Sequence, residues 1–361
     1  MKAAVCHKFG TPLAIEEVEL APPSSGEVKV RIKACVICHS DIHYTEGAYV
    51  SELPAVFGHE AAGVVDEVGE NVRGVKVGDF VVATMVRSCG QCRCCEQGHY
   101  GACETRFPLD DESPLRSASD GTKISHGLGT AAFAEYALVD ASQVVAIPSD
   151  VPFECAALLA CGVLTGFGAV TNTAKVPVGA SVVVIGTGGV GLNSIQGAAL
   201  SGARTIIAVD LSEDKLKAAR AFGATHVLNP AKVDLRKRVK VLTDRRGADF
   251  VFVTVGAKEA ADQSYRLIAP GGTVVLVGMP ALGVKSEFDI LILADNSQRI
   301  VGSKMGSSNI QTDIPKLIEL YKQGRLKLDE LISGRFPLSE INRAVAEVKE
   351  GRALRNAIVF K

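Results

Sequence analysis

Six residues, Gly186-Thr187-Gly188-Gly189-Val190-Gly191, follow the uncharged run Ser181 to Ile185 and lead into a helix-compatible segment. A strand that turns through glycines into a helix is the start of a dinucleotide-binding βαβ unit. The glycines permit the tight turn and close approach of a pyrophosphate, whose charge then meets free N–H groups at the helix N-terminus. Asp210 ends the next apolar run, 19 residues after Gly191. A carboxylate there accepts hydrogen bonds from ribose hydroxyls and repels a 2′-phosphate, so NAD is expected over NADP. Lys215 is a second candidate for the ribose, and a solvated helix lysine is the competing reading.

The runs Ser181–Ile185, Thr205–Val209, His226–Leu228, Phe250–Val255, Thr273–Val277 and Arg299–Gly302 alternate with helical pieces such as Asp214–Phe222, closed by Gly223. Six such strands with crossovers predict a doubly wound parallel sheet. The first third reads differently. Val28, Val30 and Ile32 alternate with Lys29, Arg31 and Lys33, and apolar pieces recur at Gly63–Val68 and Phe80–Met85. That period of two predicts a compact β-rich domain, and the tail from about Gly306, ending in Asn356–Phe360, is a candidate to rejoin it.

A chain of 361 residues with 47% hydrophobic content is too long for one ordinary core. Its 39 Lys+Arg balance 40 Asp+Glu, which argues against a nucleic-acid or polybasic membrane partner. Two charge-free stretches, Cys155–Ala174 and Val176–Ala203, have the length of membrane spans, but they hold ten glycines between them and fit a soluble domain better. The amino end lacks the apolar run of a secretory signal, so a cytoplasmic location is expected.

Ten cysteines without an export signal favour metal or thiol chemistry over disulfides. Cys89, Cys92, Cys95 and Cys103 supply four thiolates at a spacing suited to closed tetrahedral zinc, a structural site in a lobe over 87–105. Cys94 is the alternative to Cys95. A zinc ribbon for nucleic-acid binding is the competing class, but only Arg87 and Arg93 supply cations between Val86 and Cys95, and no aromatic stands among them. Elsewhere, Cys38, His59 and Cys161 together offer two thiolates and one imidazole. Such a set leaves a fourth position on zinc for water or substrate, the arrangement of a catalytic site.

With the sequence Gly58-His59-Glu60 continuing through Gly63 and Gly69 to Val72, the four-cysteine lobe, the glycine turn and Asp210, the chain resembles the zinc-dependent medium-chain alcohol dehydrogenases over essentially its whole length. The resemblance implies an α/β protein: a GroES-like β-rich catalytic domain from 1–162 and 301–361, and a Rossmann doubly wound parallel sheet domain over 163–300. It implies NAD, two zinc ions per subunit (one catalytic, one structural), a small-molecule alcohol or aldehyde, and reversible hydride transfer. Cys38, His59 and Cys161 become the catalytic zinc ligands, with Glu60 behind the metal and Asp41 holding the imidazole. Ser40 would bond the substrate hydroxyl and His43 would pass the proton onward. His39 and Arg355 would meet the pyrophosphate, and Thr165 and Val190 would pack beside the nicotinamide.

By the same resemblance, Tyr49, Met85, Leu128 and Met279 line the substrate pocket, with room lent by Gly127 for a medium aliphatic or aromatic alcohol. Glutathione-dependent formaldehyde dehydrogenases are close relatives. Yet the positions where they carry an acid, an arginine and a relay tyrosine hold Tyr49, Phe107 and His43, with Arg106 one place early. A polyol enzyme would more often carry a glutamate in place of Cys161. The segment Glu104–His126 retains most of a loop that tetrameric members lack, so a homodimer joined through the strand near Arg299–Gly302 is expected over a homotetramer.

Overall fold

The computed structural model describes residues 1–361 as two units, Met1–Gly162 with Asn309–Lys361, and Val163–Ser308. In the first, strands Val144–Ala146, Phe80–Thr84, Glu60–Val68, Glu27–Val36, Arg355–Val359 and Ile332–Phe336 lie in that order in one sheet, with Tyr136–Asp140 also paired to Glu27–Val36. A small closed barrel of Lys2–Cys6, Ala14–Leu20, Leu115–Ser117, Lys123–His126 and Ala55–Val56 accompanies it. The period-two reading of the first strand holds: Val28, Val30 and Ile32 are buried while Arg31 is exposed. Lys29 meets Glu67 at 2.6 Å across the outer face. The carboxyl-terminal strand rejoins this unit, pairing antiparallel as Ala357 with Val36.

The second unit is a six-stranded parallel sheet in the order His226–Leu228, Thr205–Val209, Ser181–Ile185, Ala248–Val253, Ile268–Leu276 and Arg299–Gly302. Its order reverses beside Ser181–Ile185, so the crevice at the carboxyl ends of the strands opens at the glycine turn. The fourth strand stops at Val253, short of the expected Val255. Thr254 instead closes beneath the turn, its amide donating to Ile185 O at 2.9 Å and its hydroxyl to Gly186 O at 2.7 Å.

The chain returns to the first unit after Ser308, not after residue 300. The strand Arg299–Gly302 pairs in register with Thr273–Leu276, and Thr173 Oγ1 lies 2.8 Å from both Ser303 Oγ and Ser307 Oγ, which keeps residues 301–308 with the parallel sheet. No single helix is long and apolar enough to cross a membrane. The stretch 176–203 holds a buried strand, the glycine turn and the helix Gly189–Leu200.

Candidate metal and cofactor sites

The helix His39–Thr45 starts from Cys38, and Asp41 reaches back from its first turn to accept the Cys38 amide at 3.0 Å. This is ordinary capping chemistry, in which a first-turn side chain satisfies an otherwise unpaired N–H. The same carboxylate accepts the Gly58 amide at 3.0 Å and the His59 Nδ1 proton at 2.9 Å. One buried Asp41 therefore ties together the two segments that carry Cys38 and His59.

Cys161 completes the group from the turn after the helix Phe153–Leu159. Thr84 donates to Ala160 O at 2.6 Å and holds that turn against the end of the strand Phe80–Thr84. Ligand atoms of Cys38, His59, Glu60 and Cys161 lie within 4.8 Å of one another, all from buried residues. With Nδ1 donated to Asp41, His59 keeps its Nε2 lone pair for a ligand, and that atom is buried without a hydrogen-bond partner.

The electrostatics suit a cation. Hydrogen bonding from Cys161 draws Cys38 well below the ordinary thiol range against the cost of burial, and Cys38 in turn raises Cys161. Burial opposes a charge on His59, but Asp41 outweighs it and moves the imidazole well above its usual value. Burial lifts Glu60 to about 7. The Cys38 and Cys161 sulfurs and the Nε2 of the oriented His59 imidazole are a donor set that suits zinc with an open position.

Arg355 forms an ion pair with Glu60, both of them buried. Burial works against the guanidinium charge and the Glu60 carboxylate restores it. Arg355 thus stands beside Glu60 of the metal group.

In the lobe, ligand atoms of Cys89, Cys92, Cys95 and Cys103 also lie within 4.8 Å of one another, and Cys94 is outside the group. The Cys92 amide donates to Cys89 Sγ at 3.2 Å and the Cys89 amide to Cys103 Sγ at 3.4 Å, the N–H to sulfur bonds a thiolate cluster accepts. A side-chain hydrogen bond from Thr105, with backbone donors, lowers the Cys89 thiol to about 6.

Of the other expected residues in this unit, His39 is exposed and Ser40 and His43 are half-buried on one short helix. The His43 ring centre lies 5.2 Å from that of Tyr49, which sits 5.1 Å from Tyr44. Met85 follows the strand Phe80–Thr84 and Leu128 sits in the turn Gly127–Gly129. Gly127 requires a correction. A Cβ there would stand 2.4 Å from Val56 O and 2.5 Å from Phe57 Cδ1, so the missing side chain admits close backbone packing and lends no room to a substrate. A cavity of about 560 Å3 opens elsewhere on the unit, beside Glu19, Glu27 and Arg116; none of the expected site residues lines it.

In the second unit, Gly186 takes φ +92°, a conformation open to glycine at little cost. At Gly188 nothing stands within 4 Å of an added Cβ, which leaves the face of the turn clear. Val190 is half-buried on the helix Gly189–Leu200. Asp210 Oδ2 accepts the Thr187 amide at 2.8 Å and the Thr187 hydroxyl at 3.1 Å, and Oδ1 accepts the Ser212 amide at 2.9 Å. Thr187, one of the non-glycine positions of the motif, thus fixes the rotamer of Asp210, a role that no spacing rule announces. Lys215 is half-buried near the start of its helix. Thr165 is buried, with Oγ1 3.6 Å from Met305 Sδ, and Met279 is 59% exposed.

Two family models match the chain: one described as alcohol dehydrogenase GroES-like domain over residues 24–149, and one described as zinc-binding dehydrogenase over 189–323. An NDMA-dependent alcohol dehydrogenase of Amycolatopsis methanolica is 36% identical over 367 residues, spanning 99% of this chain and 98% of that protein. A class-3 alcohol dehydrogenase of Cereibacter sphaeroides is 36% identical over 374 residues, 99% of each chain. Among solved structures, benzyl alcohol dehydrogenase from Acinetobacter calcoaceticus superposes with a TM-score of 0.94 at 32% identity, covering 100% of this chain and 99% of that one. The chain belongs to the zinc-dependent medium-chain alcohol dehydrogenases.

Proposed function

We propose that the protein is an NAD-dependent zinc alcohol dehydrogenase that interconverts primary alcohols, aromatic ones included, with their aldehydes. The observation that carries this reading is the buried set of Cys38, His59 and Cys161 with its imidazole fixed by Asp41. When bound, zinc supplies Lewis acidity toward the substrate oxygen and NAD accepts the hydride. Cys38, His59 and Cys161 hold the metal, and Asp41 keeps Nε2 aimed at it. Ser40 Oγ receives the substrate's hydroxyl proton and His43 relays it toward solvent. Cys89, Cys92, Cys95 and Cys103 would hold a second, structural zinc. The choice of NAD over NADP rests on the Asp210 carboxylate, already oriented by Thr187.

The test is the initial rate of NAD reduction with ethanol, hexanol, benzyl alcohol, cinnamyl alcohol, sorbitol, and formaldehyde with glutathione, each repeated after zinc chelation. Turnover of simple alcohols that chelation abolishes is expected. Silence with every substrate, while NAD binds and zinc is present, would overturn the reading.

We also infer a homodimer joined through the edge strand Arg299–Gly302. That strand ends the sheet order with Arg299 and Gly302 exposed, and nearby in sequence Ile290 and Leu291 are 81% and 77% exposed. Large exposed apolar side chains beside an open strand edge favour association. A solution mass of two chains is expected, and four would refute it. The ten free cysteines suit the reducing cytoplasm; disulfides among them in the native protein would count against that location.

A further inference from the structure

Within the second unit, the strand Arg299–Gly302 runs parallel to Ser181–Ile185, so the residues that follow it emerge at the same edge of the sheet as the glycine turn. A dinucleotide lies across the point where the strand order reverses, and Asp210, just past Thr205–Val209, marks the adenosine side. The nicotinamide half therefore extends the other way, past Ala248–Val253 and Ile268–Leu276 towards the chain that leaves Arg299–Gly302.

That chain is strained. Met305, Gly306 and Ser307 hold φ of 50°, 64° and 49°, three consecutive positive values of which two belong to residues with side chains. L-residues adopt this conformation at a cost, and it persists only where the surroundings enforce it. On one side the enforcement is packing. A Cβ on Gly306 would stand 2.3 Å from Leu164 O and 2.8 Å from Gly168 Cα, so the turn lies against the helix Gly162–Gly168.

On the other side it is hydrogen bonding. The helical chain widens after Gly168, where the Ala174 amide donates five residues back to Ala169 O at 2.9 Å, and such single wide turns are frequent at functional sites. From it the consecutive residues Asn172 and Thr173 both reach the strained turn. Thr173 Oγ1 lies 2.8 Å from Ser303 Oγ and 2.8 Å from Ser307 Oγ, so one hydroxyl ties the segment before the turn to its last residue. Thr171 donates to Asn172 Oδ1 at 3.1 Å, which leaves Asn172 Nδ2 to donate to Gly306 O at 3.3 Å.

We propose that Thr173 is a positioning residue for the cofactor: its hydroxyl, with Ser303, Ser307 and Asn172, locks the turn Met305–Ser307 in the shape that supports the nicotinamide end of NAD. It touches no reacting atom. The inference rests on the NAD reading above, and Thr165 points the same way, since the residue expected beside the nicotinamide is the one whose hydroxyl meets Met305 Sδ.

The test measures binding of NADH, by fluorescence titration, and of ADP-ribose, which lacks the nicotinamide, by calorimetry. Both are applied to the zinc-loaded wild type and to Thr173→Val, Thr173→Ser and Ser307→Ala, with circular dichroism as the check on folding. In Thr173→Val the Kd for NADH is expected to rise about tenfold, the worth of one or two hydrogen bonds, while that for ADP-ribose stays within about twofold. Thr173→Ser keeps the hydroxyl and is expected to restore NADH binding. Ser307→Ala is expected to lose part of it, and carries the test if Thr173→Val does not fold. Unchanged NADH affinity in both Thr173→Val and Ser307→Ala would overturn the clamp. So would equal weakening of NADH and ADP-ribose, the mark of a merely structural role, or a Thr173→Ser protein that binds NADH as poorly as Thr173→Val. A wild type that binds neither ligand refutes the NAD reading and the clamp with it, whereas one that binds both, with variants that do not discriminate between them, refutes the clamp alone.

Discussion

His59→Ala is expected to lower alcohol turnover by at least about a thousandfold while NAD still binds, and, if both proposed zinc sites fill in the wild type, to remove one of the two ions. The magnitude follows from losing several kcal/mol of electrostatic stabilisation, at roughly tenfold for each 1.4 kcal/mol. His59 is the one imidazole of the proposed set, and its Nε2 is buried without a hydrogen-bond partner, so no neighbouring group replaces it. Asp41→Asn should fall between the variant and the wild type, at about 10–100-fold, because it perturbs the orientation of the imidazole and leaves the ligand in place. Metal analysis, NADH fluorescence and circular dichroism on the same preparation decide the matter. His59→Ala protein that keeps both zinc ions and half of its activity would remove His59 from the metal site.

The second large effect belongs to the glycine turn. At Gly191 an added Cβ would lie 1.8 Å from Gly186 O and 2.9 Å from Thr254 Oγ1. The first obstacle is backbone, and Thr254 pins it by donating to Gly186 O at 2.7 Å. Gly191→Ala must therefore open the strand–turn–helix junction, at a cost of about 3 kcal/mol and roughly a 10 °C fall in the melting temperature of the parallel-sheet unit. NAD affinity should fall with it. Gly188→Ala is the contrast: its Cβ meets nothing within 4 Å and its φ is −74°, so stability should persist while the methyl obstructs the face offered to the pyrophosphate. Equal melting temperatures for Gly191→Ala and the wild type would show that the turn tolerates a side chain.

Much of this architecture is legible from short-range pattern. Val28, Val30 and Ile32 alternate because a half-buried strand presents every second side chain to its core. The strands Ser181–Ile185, Thr205–Val209, His226–Leu228 and Arg299–Gly302 have the bounds that their apolar runs indicate. The thiols of the lobe lie within 15 residues and reach one point without help from distant chain. Boundaries set by tertiary contacts are harder to read. Thr254 leaves its strand to bond beneath the glycine turn, and residues 301–308 stay with the parallel sheet through side-chain bonds to Thr173.

Residue types and local spacing determined the strand–glycine–helix turn, the acid that follows it, the four-thiol lobe and the candidate pairing of Cys38, His59 and Cys161, since each depends on chemistry carried by a few neighbouring positions or on a recognisable combination. Only the tertiary structure decided that one Asp41 carboxylate serves both the Cys38 and the His59 segment, that Arg355 pairs with Glu60, and that Gly127 serves close packing instead of substrate room. Those facts depend on which distant segments meet and on how little space remains between them, and periodicity along a chain carries no record of either.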